Sequence, residues 1–157
     1  MKLMSLFLFL VLQNAYGRVA EFPTGPNLST TPGSLCGNPD SYRYQERIPY
    51  CLRDVSTQVK AQIFEDYRNL GYGLNPSHRA DYKIDHFIPL CAGGSNEEKN
   101  LWPQHLSVYN LTDPLEGVGC EKLKDGKIRH AALVNLIVSA KLDLRKVPKT
   151  LQYLQSL

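Results

Sequence analysis

The 157-residue sequence lacks several features that would each assign it to a common class. It has no large charge excess, because 18 lysines and arginines stand against 15 aspartates and glutamates, giving a formal net charge of +3. A protein that only coats nucleic acid is usually far more basic, whereas a mild excess remains compatible with a polyanionic substrate. The length corresponds to one domain rather than two, and no internal repeat is visible.

No apolar run is long enough to span a bilayer comfortably. The run at residues 3–12 follows Lys2 and precedes the small residues Ala15 and Gly17. A short positive region, an apolar segment and small residues in this order are typical of a cleaved signal peptide, with an uncleaved anchor as the alternative. We therefore predict a signal peptide over residues 1–17, a secreted or periplasmic mature protein, and no membrane association after cleavage.

The four cysteines, Cys36, Cys51, Cys91 and Cys120, include no Cys-x-x-Cys pair. This spacing argues against a zinc ribbon and against a thioredoxin-type redox pair. An even number of cysteines behind a signal peptide favours two disulfides. Three pairings are possible, of which we favour Cys36–Cys51 with Cys91–Cys120. A structural zinc module that uses Cys91 and Cys120 with His86 is an alternative.

Two distinctive segments precede the first predicted helix. Residues 18–38 are rich in Pro, Gly, Ser and Thr, so we predict an extended arm, pinned at most at its end by Cys36, before a domain over residues 39–157. At the start of this domain, tyrosines and arginines are interleaved: Tyr42, Tyr44 and Tyr50 with Arg43, Arg47 and Arg53. Such interleaving suits stacking on bases and contact with phosphates, while a partly buried strand or turn is the simpler interpretation.

Apolar periodicity predicts the helices and strands of the domain. An N-cap serine and apolar residues at spacings of four, four and three predict a helix over residues 57–70. Residues 82–90 alternate like a strand, and a second strand begins near residues 100–102. Asp113 followed by Pro114 suits the first turn of a further helix, and residues 128–141 predict a final apolar helix.

One segment carries residues that folding alone does not require. Asp85 and His86 lie together in the predicted strand, a Gly-Gly loop follows, and Asn100 opens the second strand. Adjacent strand residues point to opposite faces, so Asp85 and His86 cannot both be core residues unless the strand end twists around a ligand. A buried carboxylate without a partner is costly, and a metal ion would provide that partner.

This segment resembles the HNH (His-Asn-His, ββα-metal) endonuclease superfamily. The match consists of residues 84–90 (IDHFIPL), 93–96 (GGSN) and 100–104 (NLWPQ), and it is most similar to a subgroup of small exported bacterial nucleases. The resemblance implies an α+β protein in which a ββα-metal unit is flanked by helices and stabilised by disulfides. It also implies a secreted endonuclease that hydrolyses phosphodiester bonds in DNA with little sequence specificity, with activity on RNA left open.

The resemblance implies a role for each residue of the motif. His86 would be the general base, because imidazole titrates near neutral pH. Asp85 would hold one divalent metal ion, for which we expect Mg²⁺ ahead of Mn²⁺ or Zn²⁺. Asn100 would brace the loop across the hairpin and orient the imidazole, since its amide both donates and accepts.

The sequence departs from the family at the second metal ligand. A histidine of the following helix often supplies this ligand, at a position that here is Tyr109 or Asn110. Asn110 and Asp113 lie three residues apart on one helix face, so we predict them as the other metal ligands, with Glu116 in reserve. The missing histidine also supports an alternative function, that of a catalytically inactive, secreted, disulfide-stapled binding protein on an HNH-like scaffold.

Overall fold

The structure is a computed structural model that describes residues 20–157. The predicted signal peptide, residues 1–17, lies outside the described residues. The described part of the chain is an α+β protein, as predicted, with two separate two-stranded antiparallel sheets and four α-helices. None of the helices within it is long and apolar enough to cross a membrane.

The first elements are a short hairpin and a helix. Strands β1 (Ser41–Arg43) and β2 (Ile48–Tyr50) pair antiparallel. Helix α1 (Thr57–Asn69) follows, and the Ser56 hydroxyl caps it by accepting a hydrogen bond from a backbone amide of its first turn. The helix predicted over residues 57–70 is therefore confirmed to within one residue, because its signals are local.

The second sheet consists of β3 (Tyr82–His86) and β4 (Leu101–His105), with His86 opposite the first residue of β4. The second strand begins where it was predicted. The strand predicted over residues 82–90 is too long, because Pro89 directly precedes a 3₁₀ turn. Proline has no N–H to donate to a neighbouring strand, so the ladder ends before it.

Helix α2 (Leu106–Lys124) begins directly after β4, so the prediction that Asp113 and Pro114 form a first helical turn is wrong. Pro114 lies inside the helix, where its ring removes one N–H donor. Buried residues occur on both sides of the proline, and their packing offsets the local preference that the prediction used.

Two further helices complete the chain, α3 (His130–Leu142) and α4 (Val147–Gln155). The helix predicted over residues 128–141 is confirmed with slightly shifted ends, but it is not the final one. Sequence reasoning missed α4, which is short and has Pro148 in its first turn. This helix packs against α2, so its stability comes from a tertiary contact rather than from local signals.

All four cysteines form disulfides, Cys36–Cys51 and Cys91–Cys120, which confirms the favoured pairing. The zinc-module alternative is therefore wrong, because a sulfur in a disulfide is no longer a thiolate ligand. Two disulfides indicate an oxidising, non-cytoplasmic environment.

The described part of the arm, residues 20–38, contains no helix or strand and follows the domain surface. Thr31 is buried, and its hydroxyl lies 2.8 Å from the Tyr67 hydroxyl and donates to the Leu101 carbonyl at 2.9 Å. The Gly33 N–H donates to the Lys99 carbonyl at 2.8 Å. The arm is thus held along its length rather than only at its disulfide.

Candidate active site

Asp85 and His86 end β3 and are both buried, with exposures of 5% and 2%. The expectation that both could be buried only around a ligand is wrong, because the protein supplies partners on both sides of the strand. Asp85 lies 3.5 Å from the ammonium of Lys141, and His86 lies 3.0 Å from Asn96. Buried polar groups with such partners do not carry the full cost of desolvation.

Two contacts determine the tautomer of His86. Asn96 donates its Nδ2–H to the Leu52 carbonyl at 2.6 Å, which leaves its Oδ1 to accept from His86 Nε2. The guanidinium of Arg53, which can only donate, lies 3.3 Å from His86 Nδ1. Nε2 therefore carries the proton, and Nδ1 is the ring atom that can take up another one.

Burial lowers the pKa of His86 to about 4; the hydrogen bond with Asn96 opposes this shift and the charge of Arg53 adds to it. The imidazole is therefore neutral at pH 7. A neutral imidazole keeps its lone pair on Nδ1, which faces Arg53 in this structure and can accept a proton from water once the guanidinium has left.

Asn100 is fully buried and braces the loop that follows β3. Its Oδ1 accepts from the Ile88 N–H at 2.9 Å, while its Nδ2 donates to the carbonyls of Ile88 and Ser95 at 3.0 and 2.9 Å. A Cβ at Gly94 would lie 1.8 Å from the Ile88 carbonyl oxygen, so the loop needs glycine there. The bracing expected of Asn100 is present in these bonds, but the direct partners of the imidazole are other residues.

Two further carboxylates gather beside that of Asp85. Oxygen atoms of Asp85, Asp113 and Glu116 all lie within 4.8 Å of one another. Asp113 and Glu116 are three residues apart on α2 and so share the face that turns towards β3. Asn110, the other predicted ligand, is exposed on the same helix, and the carboxylates that the structure brings together are those of Asp85, Asp113 and the reserve residue, Glu116.

Two lysines neutralise this cluster, and sequence reasoning missed both. Lys141 of α3 is fully buried; its ammonium lies 2.5 Å from Glu116 Oε1 and donates to the His86 carbonyl at 2.5 Å. Lys83 lies 2.5 Å from Asp113 and 3.8 Å from Asp85. One sequence signal could have indicated that Lys141 is buried. Residues 133, 137 and 141 are spaced four apart and so share one face of α3, and the first two are apolar.

Burial and these charges oppose one another in the cluster. Burial raises the pKa of Glu116 to about 7, against the lowering effect of Lys141. Burial alone would raise the pKa of Asp85, but Lys141 and Lys83 hold it below its ordinary value. Burial alone would lower the pKa of Lys141, which Glu116 and Asp85 raise instead. Asp85 and Lys141 are therefore charged at neutral pH, and Glu116 is close to its titration midpoint.

The donor set fits a hard divalent cation. Asp85 Oδ2 and Glu116 Oε1 are buried, and each faces the ammonium of Lys141, at 3.5 and 2.5 Å. Carboxylate oxygens are the ligands that Mg²⁺ prefers, so a cation there would compete with the ammonium of Lys141.

The site opens into a cleft of about 190 Å³, whose lining includes Arg53, His86, Glu116 and the Cys91–Cys120 disulfide. A larger cleft of about 590 Å³ lies between α3 and α4, but its lining contains no histidine and no carboxylate. The smaller cleft therefore holds the histidine and the carboxylates of the candidate site. No family model, no curated protein and no solved structure matches the chain.

Proposed function

We propose that this chain is a secreted, metal-dependent endonuclease of the HNH type, which hydrolyses phosphodiester bonds in DNA with little sequence specificity, with activity on RNA left open. The observation that carries the proposal is the convergence of His86, Asp85 and Glu116 in one cleft, with a carboxylate oxygen of Asp113 within 4.8 Å of those of Asp85 and Glu116. The order β3, β4, α2 agrees with a ββα-metal unit. Two disulfides agree with export.

Asp85, Asp113 and Glu116 would hold one divalent cation, Mg²⁺ ahead of Mn²⁺ or Zn²⁺. Bound there, the cation would stabilise negative charge on the phosphate and on the departing oxygen. The raised pKa of Glu116 makes loading depend on pH: about half of the Glu116 carboxyl groups carry a proton at pH 7, and the cation must displace it, so affinity for the cation should rise above pH 7.

His86 acts as the general base through Nδ1. This atom takes a proton from water while the water oxygen attacks phosphorus, and the phosphorus–oxygen bond opposite the attack breaks with its electron pair leaving on the 3′ oxygen. That oxygen then takes a proton from solvent. Asn96 holds the Nε2–H and so keeps the lone pair on Nδ1. General base catalysis of this kind contributes a factor of about 10²–10⁴.

Arg53 must move for this step, because its guanidinium occupies the position next to His86 Nδ1. Its side chain is 53% exposed, so it can turn out of this position. A phosphate in the cleft offers it two oxygens in the planar geometry that guanidinium groups prefer. Substrate binding would thus free the lone pair of the base.

Plasmid nicking by the purified, disulfide-bonded protein, residues 18–157, tests the proposal. We expect nicking with Mg²⁺, none with EDTA, and a loss of about 10²–10⁴-fold in His86→Ala. His78→Ala is the matched control, since His78 is exposed and pairs only with the neighbouring Asp81. Nicking that persists in His86→Ala, or absence of cleavage of DNA and RNA with Mg²⁺, Mn²⁺ and Zn²⁺, would refute the assignment.

One observation favours the second candidate, a catalytically inactive binding protein on an HNH-like scaffold. Lys141 and Lys83 already neutralise the carboxylates that would hold the cation. Titration calorimetry with Mg²⁺ separates the two functions: measurable heat that disappears in Asp85→Asn supports the nuclease, and no heat in the wild-type protein supports the binding protein.

A further inference from the structure

The hairpin of β1 and β2, residues 41–50, presents arginines stacked on tyrosines at the surface. All three residues of β1 are exposed, and Tyr42 is 57% exposed. The Arg43 guanidinium lies 3.1 Å from the centroid of the Tyr50 ring, and that of Arg47 lies 5.4 Å from the centroid of the Tyr42 ring. These cation–π contacts hold the charges in place without neutralising them.

Neither arginine has an acidic partner within residues 20–157. The two acidic residues beside them form other hydrogen bonds. Asp40 accepts from the Leu52 N–H at 2.8 Å, and Glu46 accepts from the His130 N–H, the first of α3, at 2.8 Å. The guanidinium N–H groups of Arg43 and Arg47 therefore remain available to an anionic ligand.

The turn of the hairpin is held in an unusual conformation. Tyr44 and Arg47 have positive φ angles of 60° and 54°, which non-glycine residues seldom adopt. The Arg47 N–H donates to the Tyr44 carbonyl at 3.1 Å, and Tyr44 packs against the core. The surface is thus preorganised, which lowers the entropy lost when a ligand binds.

The hairpin leads directly into the catalytic cleft. Cys51, which follows β2, is tied to the arm by its disulfide. The next carbonyl, of Leu52, accepts from Asn96, the partner of the catalytic imidazole. Arg53 then reaches His86 itself. A polynucleotide with one phosphate in the cleft would therefore have its neighbouring nucleotides close to the hairpin.

We propose that hairpin 41–50 binds the nucleic-acid strand adjacent to the scissile phosphate, and that it prefers a single-stranded segment. Arg43 and Arg47 contact phosphates, because their forked donors match phosphate oxygens. The exposed ring of Tyr42 stacks on an unpaired base, which a continuous duplex does not offer. This inference rests on the proposed function and assigns the substrate form for the same site.

Fluorescence anisotropy with a labelled oligothymidylate in EDTA measures binding without cleavage. The test variant is Arg43→Gln with Arg47→Gln; its matched control is Arg68→Gln with Arg145→Gln, which removes the same charge from two exposed, ion-paired arginines. Loss of two phosphate contacts should reduce the slope of log K against log salt by about 1.4. The control should change the slope by much less.

Tyr42→Ala separates stacking from charge. We expect oligothymidylate affinity to fall roughly 5- to 150-fold, with a smaller effect on a duplex of equal length. Tyr42→Phe should restore the affinity, because the ring and not the hydroxyl stacks. Circular dichroism of each variant establishes that the fold is retained, and Arg43→Lys provides a second, charge-preserving variant should Arg43→Gln not fold.

Equal effects of the test pair and the control pair would overturn the inference, as would equal losses for single strand and duplex in Tyr42→Ala. Hydrolysis of bis(p-nitrophenyl) phosphate, which needs only the cleft, keeps the two proposals apart. A protein that hydrolyses this diester but binds no oligothymidylate overturns the hairpin inference and leaves the proposed function standing. A protein that hydrolyses no diester but binds oligothymidylate through the hairpin overturns the proposed function and leaves the hairpin inference standing.

Discussion

Replacing Lys141 by methionine removes the one fully buried ammonium from a cluster of carboxylates. Its Nζ lies 2.5 Å from Glu116, 3.5 Å from Asp85 and 2.5 Å from the His86 carbonyl oxygen that it donates to. Methionine retains most of the length of the lysine stem and fills irregular space well, so the cavity left behind is small. The substitution therefore tests the electrostatic contribution almost alone.

Removal of one partner of a buried ion pair costs about 3–5 kcal/mol. We expect the lower end of this range for Lys141→Met at pH 7.5. Glu116, whose pKa is already raised by burial to about 7, can take up a proton in the variant and so shed its uncompensated charge. Asp85 keeps weaker partners, Lys83 at 3.8 Å and Arg53 at 3.6 Å.

The destabilisation should shrink as the pH falls. Loss of the ammonium raises the pKa of Glu116 further in the folded state, while in the unfolded chain it stays near 4.5. Between these two values the folded variant binds more protons than the unfolded one, so its stability rises as pH decreases. The gap to the wild-type protein should therefore be smaller at pH 5.5 than at pH 8.

Urea denaturation at both pH values measures this difference. Lys146→Met is the matched control, because Lys146 is exposed and bonds only to the Ser139 hydroxyl; its effect should stay within about 0.5 kcal/mol. Glu116→Gln should recover part of the loss in the Lys141→Met background. A Lys141→Met protein within 1 kcal/mol of wild type, roughly the size of a surface effect, would refute the reasoning.

Two further predictions concern Asn100 and His86. Asn100→Ala should destabilise the protein by about 3 kcal/mol or more in urea denaturation, because three buried backbone groups lose their partner; the exposed Asn110→Ala should have little effect. For His86, NMR titration of the metal-free protein should give a pKa of about 4, and a value near 6.5 would contradict the buried network. Between these pH values the histidine binds a proton in the unfolded chain but not in the folded protein, so the free energy of unfolding should fall by about 2 kcal/mol from pH 7 to 4.5. This fall is measured relative to His86→Asn, in which the carboxylates titrate but residue 86 does not.

The sequence predicted those helices and strands that are determined by residues close together in the chain. The helix predicted from the serine cap and apolar spacing of α1 agrees with the structure, as do the starts of the strands on both sides of the Gly-Gly loop, because neighbouring residues determine them. Pro114 misled the prediction of α2, since a proline is typical of a first turn but is tolerated inside this helix by packing on both sides. The short helix α4 was missed because its stability depends on contact with α2.

The residues of the candidate site also divide into those that the sequence predicted and those that only the tertiary structure brought together. Asp85, His86 and Asn100 belong to one short stretch whose spacing is visible in the chain, and the number of cysteines predicted two disulfides while leaving three pairings possible. Which cation neutralises Asp85, which acid completes the cluster and which ring nitrogen of His86 is free depend on contacts between distant residues. Lys141 donates to His86 across 55 positions, and Asn96 reaches back 44 positions to Leu52. Such distances are set by how the helices pack on the sheet, so only the tertiary structure could decide them, whereas the identity and order of the reactive groups were determined by the sequence itself.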